Sequence, residues 1–557
     1  MPRWRTGAIS AFLSTFPSPR IGPEGEVFRV VSGVSAKLTT VKKGKKNSGG
    51  STAVRTGSFR RSAVSSVLTV LTIIVVAAVI VGAVVMYQQR NAYTSAKPAG
   101  PVDSGVSVSG PNADAPIPDI TKALQGPASN GALGQLAGQV TDASTGKTLW
   151  EKNSSTAMVP ASSTKMMTTA AALLTLGPKD RVRTVVKRGT KPGQIVLVGG
   201  GDVTLAASKD NAFYTNAPTI QDLASQVKKN MGGQPVTSVV VDNSRAGQGD
   251  TFNSTWSRGD ISGGNVTSVD SVMLNGGRQD PSDADSPRTD NPALVAGQAL
   301  ANALGLSSSS SDDGNGADNA GDSGDFGESN DESGNSGGGD DNSQGVSVSK
   351  KSVDTEDGEL GAVESAPLDI RIHDMLVNSD NMEAEAIGRE IAKKEGKPLT
   401  FEGATSATKE VLSQHGFPLE SVVLKDNSGM SPDNRITPRL LDRIMVKASS
   451  PVTNEGNSDS SSADSQSHDL RPILDGLPVA GGNGTLAGRF TPGSSSGPGA
   501  GWVRAKTGTL DGVSALVGTV MNQQGRVLTF AFMSNGSDIE PARSALDDLA
   551  SALRTSS

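Results

Sequence analysis

The stretch that decides the fold is VPASSTKMMTTAAALL, which runs from Val159 to Leu174. A proline precedes two adjacent serines, and a lysine then opens a long apolar segment that predicts a helix. Ser162 has Lys165 three residues further on, whereas Ser163 has Met166 at that distance. Because side chains three residues apart lie on one face of a helix, Lys165 is predicted to reach the hydroxyl of Ser162.

This pairing has a clear chemical use. A serine hydroxyl is a poor nucleophile at neutral pH and needs a base beside it. A lysine can accept the proton when burial and neighbouring charges lower its pKa, and a helix start adds free N–H groups and positive potential. We therefore interpret Ser162 as the nucleophile and Lys165 as its base. The spacing alone is weak evidence, because it also follows four other serines: Ser144, Ser225, Ser347 and Ser406.

Two further polar motifs give the serine–lysine pair its context. The segment VNSDNMEAE places Ser379, Asp380 and Asn381 just before a predicted helix. The segment RAKTGTLDG, on a predicted strand, holds the only Lys-Thr-Gly of the chain. Ser379 and Lys506 can relay a proton between Lys165 and a leaving amine. Asn381 can hold a peptide carbonyl of the substrate.

The Lys-Thr-Gly strand is predicted to bind substrate. Lys506, Thr507 and Thr509 form a cationic, hydroxyl-bearing edge that suits a carboxylate. Gly508 permits close approach of backbone to this edge. The backbone N–H groups of Ser162 and Thr509 are the predicted oxyanion hole.

In order and context, the three motifs resemble those of serine D-alanyl-D-alanine carboxypeptidases, namely the low-molecular-mass class C penicillin-binding proteins. The resemblance covers most of residues 130–556. Ser379 lies 217 residues after Ser162, and in this class such a gap is filled by domains inserted after the nucleophile helix. Other stretches that look like the family are LVGGGDVTL (Leu197–Leu205), VMLNGGR (Val272–Arg278), KDNSGMSPDNRITP (Lys425–Pro438) and LPVAGGNGTLAGRF (Leu477–Phe490).

The resemblance implies an α+β, penicillin-recognising serine transferase-type fold, in which helices flank an antiparallel sheet. It implies an enzyme that removes the terminal D-Ala of peptidoglycan stem peptides through an acyl-enzyme and is inhibited covalently by β-lactam antibiotics. Some members also cut D-Ala–diaminopimelate crosslinks. No cofactor or metal is expected. Two alternatives stay open: a penicillin-binding, wall-sensing module without turnover, and a β-lactamase.

The composition of the 557-residue chain excludes several other chemistries. Cysteine is absent, which rules out disulfides, cysteine-ligated zinc and thiol catalysis. Only three histidines occur, which argues against a histidine triad or a histidine-rich metal site. The formal net charge of −6 points away from a nucleic-acid partner.

The N-terminal part predicts a membrane anchor. The run VLTVLTIIVVAAVIVGAVVM (Val67–Met86) carries no charge, and as a helix it would be ~30 Å long, enough to cross a bilayer. Residues 1–61 carry twelve Lys and Arg against two Glu, so the positive-inside rule places them in the cytoplasm. We expect a single-pass protein of the cell membrane with its catalytic domain outside, or a secreted protein if the helix is cleaved.

Composition shifts along the chain predict the domain organisation. The early hairpin at Leu136–Lys152 is expected to share one sheet with the strands near the C-terminus, so that the catalytic domain is split. The predicted parts are a disordered basic tail (1–61), a transmembrane helix (66–87), a flexible linker (91–130), a catalytic domain (131–180 and 360–557), an inserted β-rich lobe (181–300), a disordered acidic insert (307–349) and a disordered loop (449–467).

Overall fold

The computed structural model describes residues 111–247, 249–310, 346–450 and 469–557. The predicted basic tail and transmembrane span lie outside these ranges, as does most of the acidic insert and of the polar loop. Within the ranges described, no helix combines the length and apolar character needed to cross a bilayer.

The strands of the described residues are numbered in chain order. They are β1 (Gln135–Asp142), β2 (Thr148–Lys152), β3 (Arg183–Gly189), β4 (Gln194–Val198), β5 (Asp202–Leu205), β6 (Ser238–Asp242), β7 (Val272–Leu274), β8 (Ser308–Ser310), β9 (Val346–Lys350), β10 (Thr355–Glu364), β11 (Val503–Leu510), β12 (Val513–Met521) and β13 (Val527–Asn535).

The helices of the same residues are numbered likewise. They are α1 (Ile120–Leu124), α2 (Lys165–Thr175), α3 (Ile220–Met231), α4 (Gly259–Ser262), α5 (Pro292–Leu304), α6 (Leu368–Asn378), α7 (Asn381–Lys394), α8 (Phe401–Gln414), α9 (Pro438–Ser449), α10 (Pro472–Gly476) and α11 (Ile539–Thr555).

The first sheet is antiparallel and has the order β11-β12-β13-β1-β2. Apart from the exposed edge strand β2, its strands are largely buried on both faces, because alternate residues enter two different cores. Ala531 and Met533 of β13 pack with α2 and the helices α6 to α9, whereas Phe530 and Phe532 pack with α1 and α11. The α+β architecture and the pairing of β1 with β13 confirm the expectation from the sequence that the chain returns to its first sheet.

The second lobe is built on a six-stranded sheet with the order β10-β3-β4-β6-β9-β8. The strands β4, β6, β9 and β8 are parallel neighbours, and α3 and α5 cover the sheet and share its apolar core. The lobe therefore contains helices as well as strands, whereas the sequence predicted a lobe built mainly of strands.

The predicted boundaries of this lobe and of the acidic insert are wrong in detail. The sheet continues through 346–350 and 355–364, so residues 346–349 form a strand rather than disordered insert. Residues 360–364 belong to the lobe rather than to the catalytic domain. The sequence misplaced these boundaries because β9 pairs with β6, which lies more than a hundred residues earlier in the chain. A local sequence pattern does not indicate such a long-range pairing.

The predicted flexible linker also ends earlier than expected. Within 91–130, the residues from 111 onward are described, and they include α1, whose start is capped by the Asp119 carboxylate accepting from the N–H of Lys122. Ile120 and Leu124, four residues apart on this helix, are buried against α11. One helical turn in a proline-rich context is too short for periodicity to reveal.

Leu124→Ala should lower the free energy of unfolding by about 2–3 kcal/mol, because it removes a fully buried side chain and leaves a cavity. Thermal denaturation of the protein measures this change in the free energy of unfolding. Thr121→Ala, on the exposed side of α1, is the matched control. Equal melting temperatures for both variants would mean that the segment is the linker that its composition suggests.

Candidate active site

The turn that carries the two serines orients them differently. Residues Ala161–Thr164 form one 3-10 turn that leads into α2, and Ala161 takes a left-handed conformation with φ of 48°. Ser163 is fully buried and its hydroxyl donates to the carbonyl of Pro160 at 2.6 Å. Ser162 is partly exposed and lines a cleft. Only Ser162 is thus presented to a substrate.

The ammonium of Lys165 lies at the centre of the site. Its side chain is fully buried, and its Nζ lies 3.0 Å from Ser162 Oγ, 2.6 Å from Asn381 Oδ1 and 2.7 Å from the carbonyl oxygen of Ser428. Three separate segments of the chain therefore meet on one cation.

Burial changes the proton affinity of Lys165. Loss of solvation lowers its pKa to about 8, and the carboxylates of Asp380, Asp426 and Glu385 oppose this shift. A pKa in that range leaves an appreciable fraction of neutral amine near neutral pH. The amine can then accept a proton from the serine beside it.

Ser379 and Lys506 form a second hydrogen-bonded pair. Ser379 caps the C-terminal end of α6 and has a left-handed φ of 57°. Such a conformation of a non-glycine residue is held only where its surroundings impose it. Lys506 Nζ donates to Ser379 Oγ and to the carbonyl of Thr507, both at 2.9 Å. Burial and the nearby charge of Lys165 hold the pKa of Lys506 well below its usual range.

Asp380 fixes the segment between the two helices. Its carboxylate caps α7 by accepting from the N–H of Glu383 and pairs with Arg278 at 2.7 Å and Arg288 at 3.5 Å. The two guanidinium groups hold the pKa of this buried carboxyl far below its usual range. Both arginines come from the second lobe. Sequence reasoning noted the stretch that ends at Arg278 without assigning it this role.

The strand β11 runs directly beside the turn Ala161–Thr164. A Cβ at Gly508 would lie 2.5 Å from the carbonyl oxygen of Pro160 and 3.2 Å from the N–H nitrogen of Ser163. The absence of a side chain is therefore needed for contact between strand and turn, and this contact brings Thr509 close to Ser162.

The two threonines of β11 have partners that sequence reasoning missed. Thr507 Oγ1 donates to Thr485 Oγ1 at 2.8 Å, and Thr509 Oγ1 accepts from Arg543 Nη2 at 3.0 Å. Thr485 lies within the family-like stretch that ends at Phe490, but no sequence signal linked Arg543, on the last helix, to the site.

The predicted residues meet at one cleft of about 530 Å³. Ser162, Ser379, Asn381, Thr507 and Thr509 line it, together with Arg543, while Lys165 and Lys506 are buried behind these side chains. The second lobe supplies part of the wall, which includes Asn265, Arg278 and Asp285. In the part of the chain that the structure describes, no group of three or more His, Asp or Glu side chains is placed to hold a metal ion.

A serine paired with a buried lysine, set at a helix start against an antiparallel sheet, defines the class of serine–lysine hydrolases. The chain matches the D-Ala-D-Ala carboxypeptidase 3 (S13) family over residues 120–319 and 338–555, and it belongs to this family of serine carboxypeptidases.

Relatives of known name agree with this assignment. The chain is 39% identical over 440 residues to carboxypeptidase DacB of Mycolicibacterium smegmatis, covering 78% of this chain and 84% of the relative. A carboxypeptidase of Mycobacterium tuberculosis is 38% identical over 438 residues, with 78% and 83% covered. The crystal structure of penicillin binding protein 4 from Haemophilus influenzae has the same fold, with a TM-score of 0.56, 18% identity, and 78% of this chain and 98% of that chain covered.

Gly508→Ala should slow acylation of the protein by a β-lactam about 100-fold, because a side chain there pushes β11 away from the turn Ala161–Thr164 by about 1 Å. The rate of labelling by a fluorescent penicillin measures this. Gly131→Ala is the control, since its Cβ would meet no atom within 4 Å. Labelling of Gly508→Ala at the unmodified rate would show that contact between strand and turn does not position the reactive groups.

Proposed function

We propose that Ser162 is the acylated nucleophile and Lys165 the general base of a D-Ala-D-Ala carboxypeptidase that trims peptidoglycan stem peptides. The observation that carries this proposal is the 3.0 Å hydrogen bond between Lys165 Nζ and Ser162 Oγ, in a buried setting that lowers the pKa of the amine. Membership of the S13 family and the names of the relatives at 38–39% identity support the reaction type.

In the acylation step, neutral Lys165 takes the proton of Ser162 while Oγ attacks the carbonyl carbon of the penultimate D-Ala. The peptide C–N bond breaks as the ester forms, and the leaving D-Ala amine receives the proton held by Lys165, relayed through Ser379, which is hydrogen-bonded to Lys506. Water then hydrolyses the ester, and Ser162 recovers its proton.

The developing negative charge on the carbonyl oxygen needs donors. We assign them to the backbone N–H groups of Ser162 and Thr509, which the close approach of Gly508 to the nucleophile's turn supports. Asn381 stands beside Lys165 and is suited to hold the substrate's peptide group. The substrate's terminal carboxylate is assigned to the hydroxyl groups of Thr507 and Thr509, next to the positive charge of Arg543.

The same groups account for inhibition by β-lactams. The lactam carbonyl takes the place of the peptide carbonyl, and the ring's carboxylate takes the place of the terminal carboxylate. Ring opening acylates Ser162, and the released amine stays tethered to the acyl group. A second substrate, the D-Ala–diaminopimelate crosslink, would use the same attack on a D-Ala carbonyl, with a larger leaving group in the cleft.

Ser162→Ala should abolish both release of D-Ala and covalent labelling by penicillin, because it removes the hydroxyl that Lys165 is placed to activate. Ser163→Ala is the matched control and should keep both, since its hydroxyl only bonds the carbonyl of Pro160. Release of D-Ala from a peptide ending in D-Ala-D-Ala, and mass spectrometry of the labelled protein, provide the measurements. A penicilloyl group on Ser163 would refute the assignment of Ser162 and Lys165.

We further propose that residues 66–87 anchor the enzyme in the cell membrane, with the catalytic domain on the outer side. The uncharged run Val67–Met86 and the twelve basic residues before it support this topology.

The full-length protein should accordingly fractionate with membranes, and protease added to intact cells should degrade the part after residue 90. A variant lacking residues 66–87 is the control and should lose membrane association. Recovery of most of the mature protein in the medium, with an N-terminus after residue 87, would instead indicate a cleaved signal.

A further inference from the structure

Glu385 occupies a position that the acylation chemistry described above does not use. It follows Asn381 by four residues on α7, so both side chains project from the same face of the helix. Asn381 Oδ1 accepts from Lys165 Nζ directly. Glu385 reaches instead to the backbone of the segment that supplies the third acceptor of Lys165.

The contacts of Glu385 enclose a single turn. The N–H of Asn427 donates to both carboxylate oxygens, at 3.0 and 3.2 Å, and the N–H of Ser428 donates to Oε1 at 2.8 Å. The carbonyl oxygen of that same Ser428 accepts from Lys165 Nζ at 2.7 Å. One residue of the turn therefore links the carboxylate on one side to the ammonium on the other.

The turn is also pressed against the nucleophile's own turn. Gly429 has a φ of 89°, and a Cβ there would lie 2.0 Å from the carbonyl oxygen of Ala161. On the far side, Asp426 accepts from the N–H groups of Gly429 and Ser431. A displacement of this turn would therefore move the acceptor of Lys165 and disturb the backbone that precedes Ser162.

We propose that Glu385 is a positioning residue for the general base: its carboxylate holds the turn at 427–428 so that the carbonyl of Ser428 orients Lys165 toward Ser162. This inference rests on the proposed roles of Lys165 and Ser162. Glu385 itself is buried and does not line the cleft, so it acts through the turn and not on the substrate.

The charges around Lys165 determine the sign of the expected pH effect. The carboxyl groups near it are those of Asp380 at the N-cap of α7, Glu385 on α7 and Asp426 in the turn, and they favour its charged form. The amine of Lys506 on β11 is the nearby basic group, and like charge on the two amines is unfavourable. Burial and nearby Asp426 raise the pKa of Glu385 to about 8, and Arg389 faces Glu385 from the same helix.

The pKa values of Glu385 and Lys165 both lie at about 8, so Glu385 carries part of its negative charge in the pH range in which Lys165 loses its proton. Loss of that charge, or of the oriented carbonyl of Ser428, removes stabilisation of the charged ammonium and lowers the pKa of Lys165. The acylation rate increases with pH as Lys165 loses its proton, which gives the pH–rate profile an ascending limb. When Glu385 is replaced, this ascending limb should move to lower pH.

The test compares Glu385→Met, which has similar volume and no acceptor, with Glu385→Gln, which keeps an oxygen for the two N–H groups. The rate of acylation by a fluorescent penicillin is measured across pH for each full-length variant. We expect Glu385→Met to be slowed about 100-fold, and Glu385→Gln to recover most of the rate. In both variants the ascending limb should lie at lower pH than in the unmodified protein.

The matched control is Asp442→Asn. Asp442 is another buried carboxyl, on α9, and accepts from Gln139, Thr141 and Thr529 without touching the site. This variant reports the general effect of neutralising a buried acid, and its ascending limb should coincide with that of the unmodified protein.

The outcomes separate this inference from the proposed function. Absence of label on Ser162 in the unmodified protein would overturn the proposed function. Three results would overturn the positioning role alone while Ser162 is labelled normally. They are an unchanged acylation rate in Glu385→Met, a Glu385→Gln variant that is as slow as Glu385→Met, and an ascending limb that stays at the same pH in the variants. If Glu385→Met does not fold, Glu385→Gln decides the question: a near-normal rate with a displaced limb supports the role, and a coincident limb contradicts it.

Discussion

The buried ammonium of Lys165 is the constraint on which the rest of the site depends. A cation removed from water must be surrounded by acceptors, or burial costs several kcal/mol. Here the acceptors come from Ser162 in the turn Ala161–Thr164, from Asn381 at the start of α7 and from the turn at Ser428. The fold has to bring three segments that are distant in sequence to one point, and each is held there by further contacts behind it.

The second lobe contributes to this arrangement more than its distance from Ser162 in sequence suggests. Arg278 and Arg288 neutralise Asp380, which caps α7 and stands between Ser379 and Asn381. The amide of Asn381 also donates to the backbone carbonyl of Asn265 at 3.0 Å. The insertion between the first and second motifs thus supports the second motif as well as forming a wall of the cleft.

Short motifs in the sequence single out residues of the site, whereas no comparable local pattern marks the boundaries of the domains. Ser162, Lys165, Ser379, Asn381 and Lys506 could be singled out because a few residue types at short spacings carry that information, and the geometry brings these five together. The boundary of the second lobe depends on β9 pairing with β6, and the ordered residues near Leu124 depend on a contact with the last helix. Such long-range contacts leave no trace in local periodicity.

The burial of helix α7 is another feature that its local sequence does not reveal. Its sequence NMEAEAIGREIAKK carries ionisable residues along its whole length, yet every residue from Asn381 to Ala392 is buried.

Each of its buried ionisable side chains contacts a polar group on another segment of the chain. Glu383 and Glu390 contact Arg371, Glu385 holds the turn at Ser428, and Arg389 donates to the backbone carbonyls of Asp250 and Val269. Truncating one member of such a set leaves the other buried without compensation, at a cost of about 3–5 kcal/mol. The polar surface of α7 therefore resists sliding or rotation more strictly than an apolar one would. Because Asn381 sits at the first turn of this helix, the same constraint fixes the position of the amide beside Lys165.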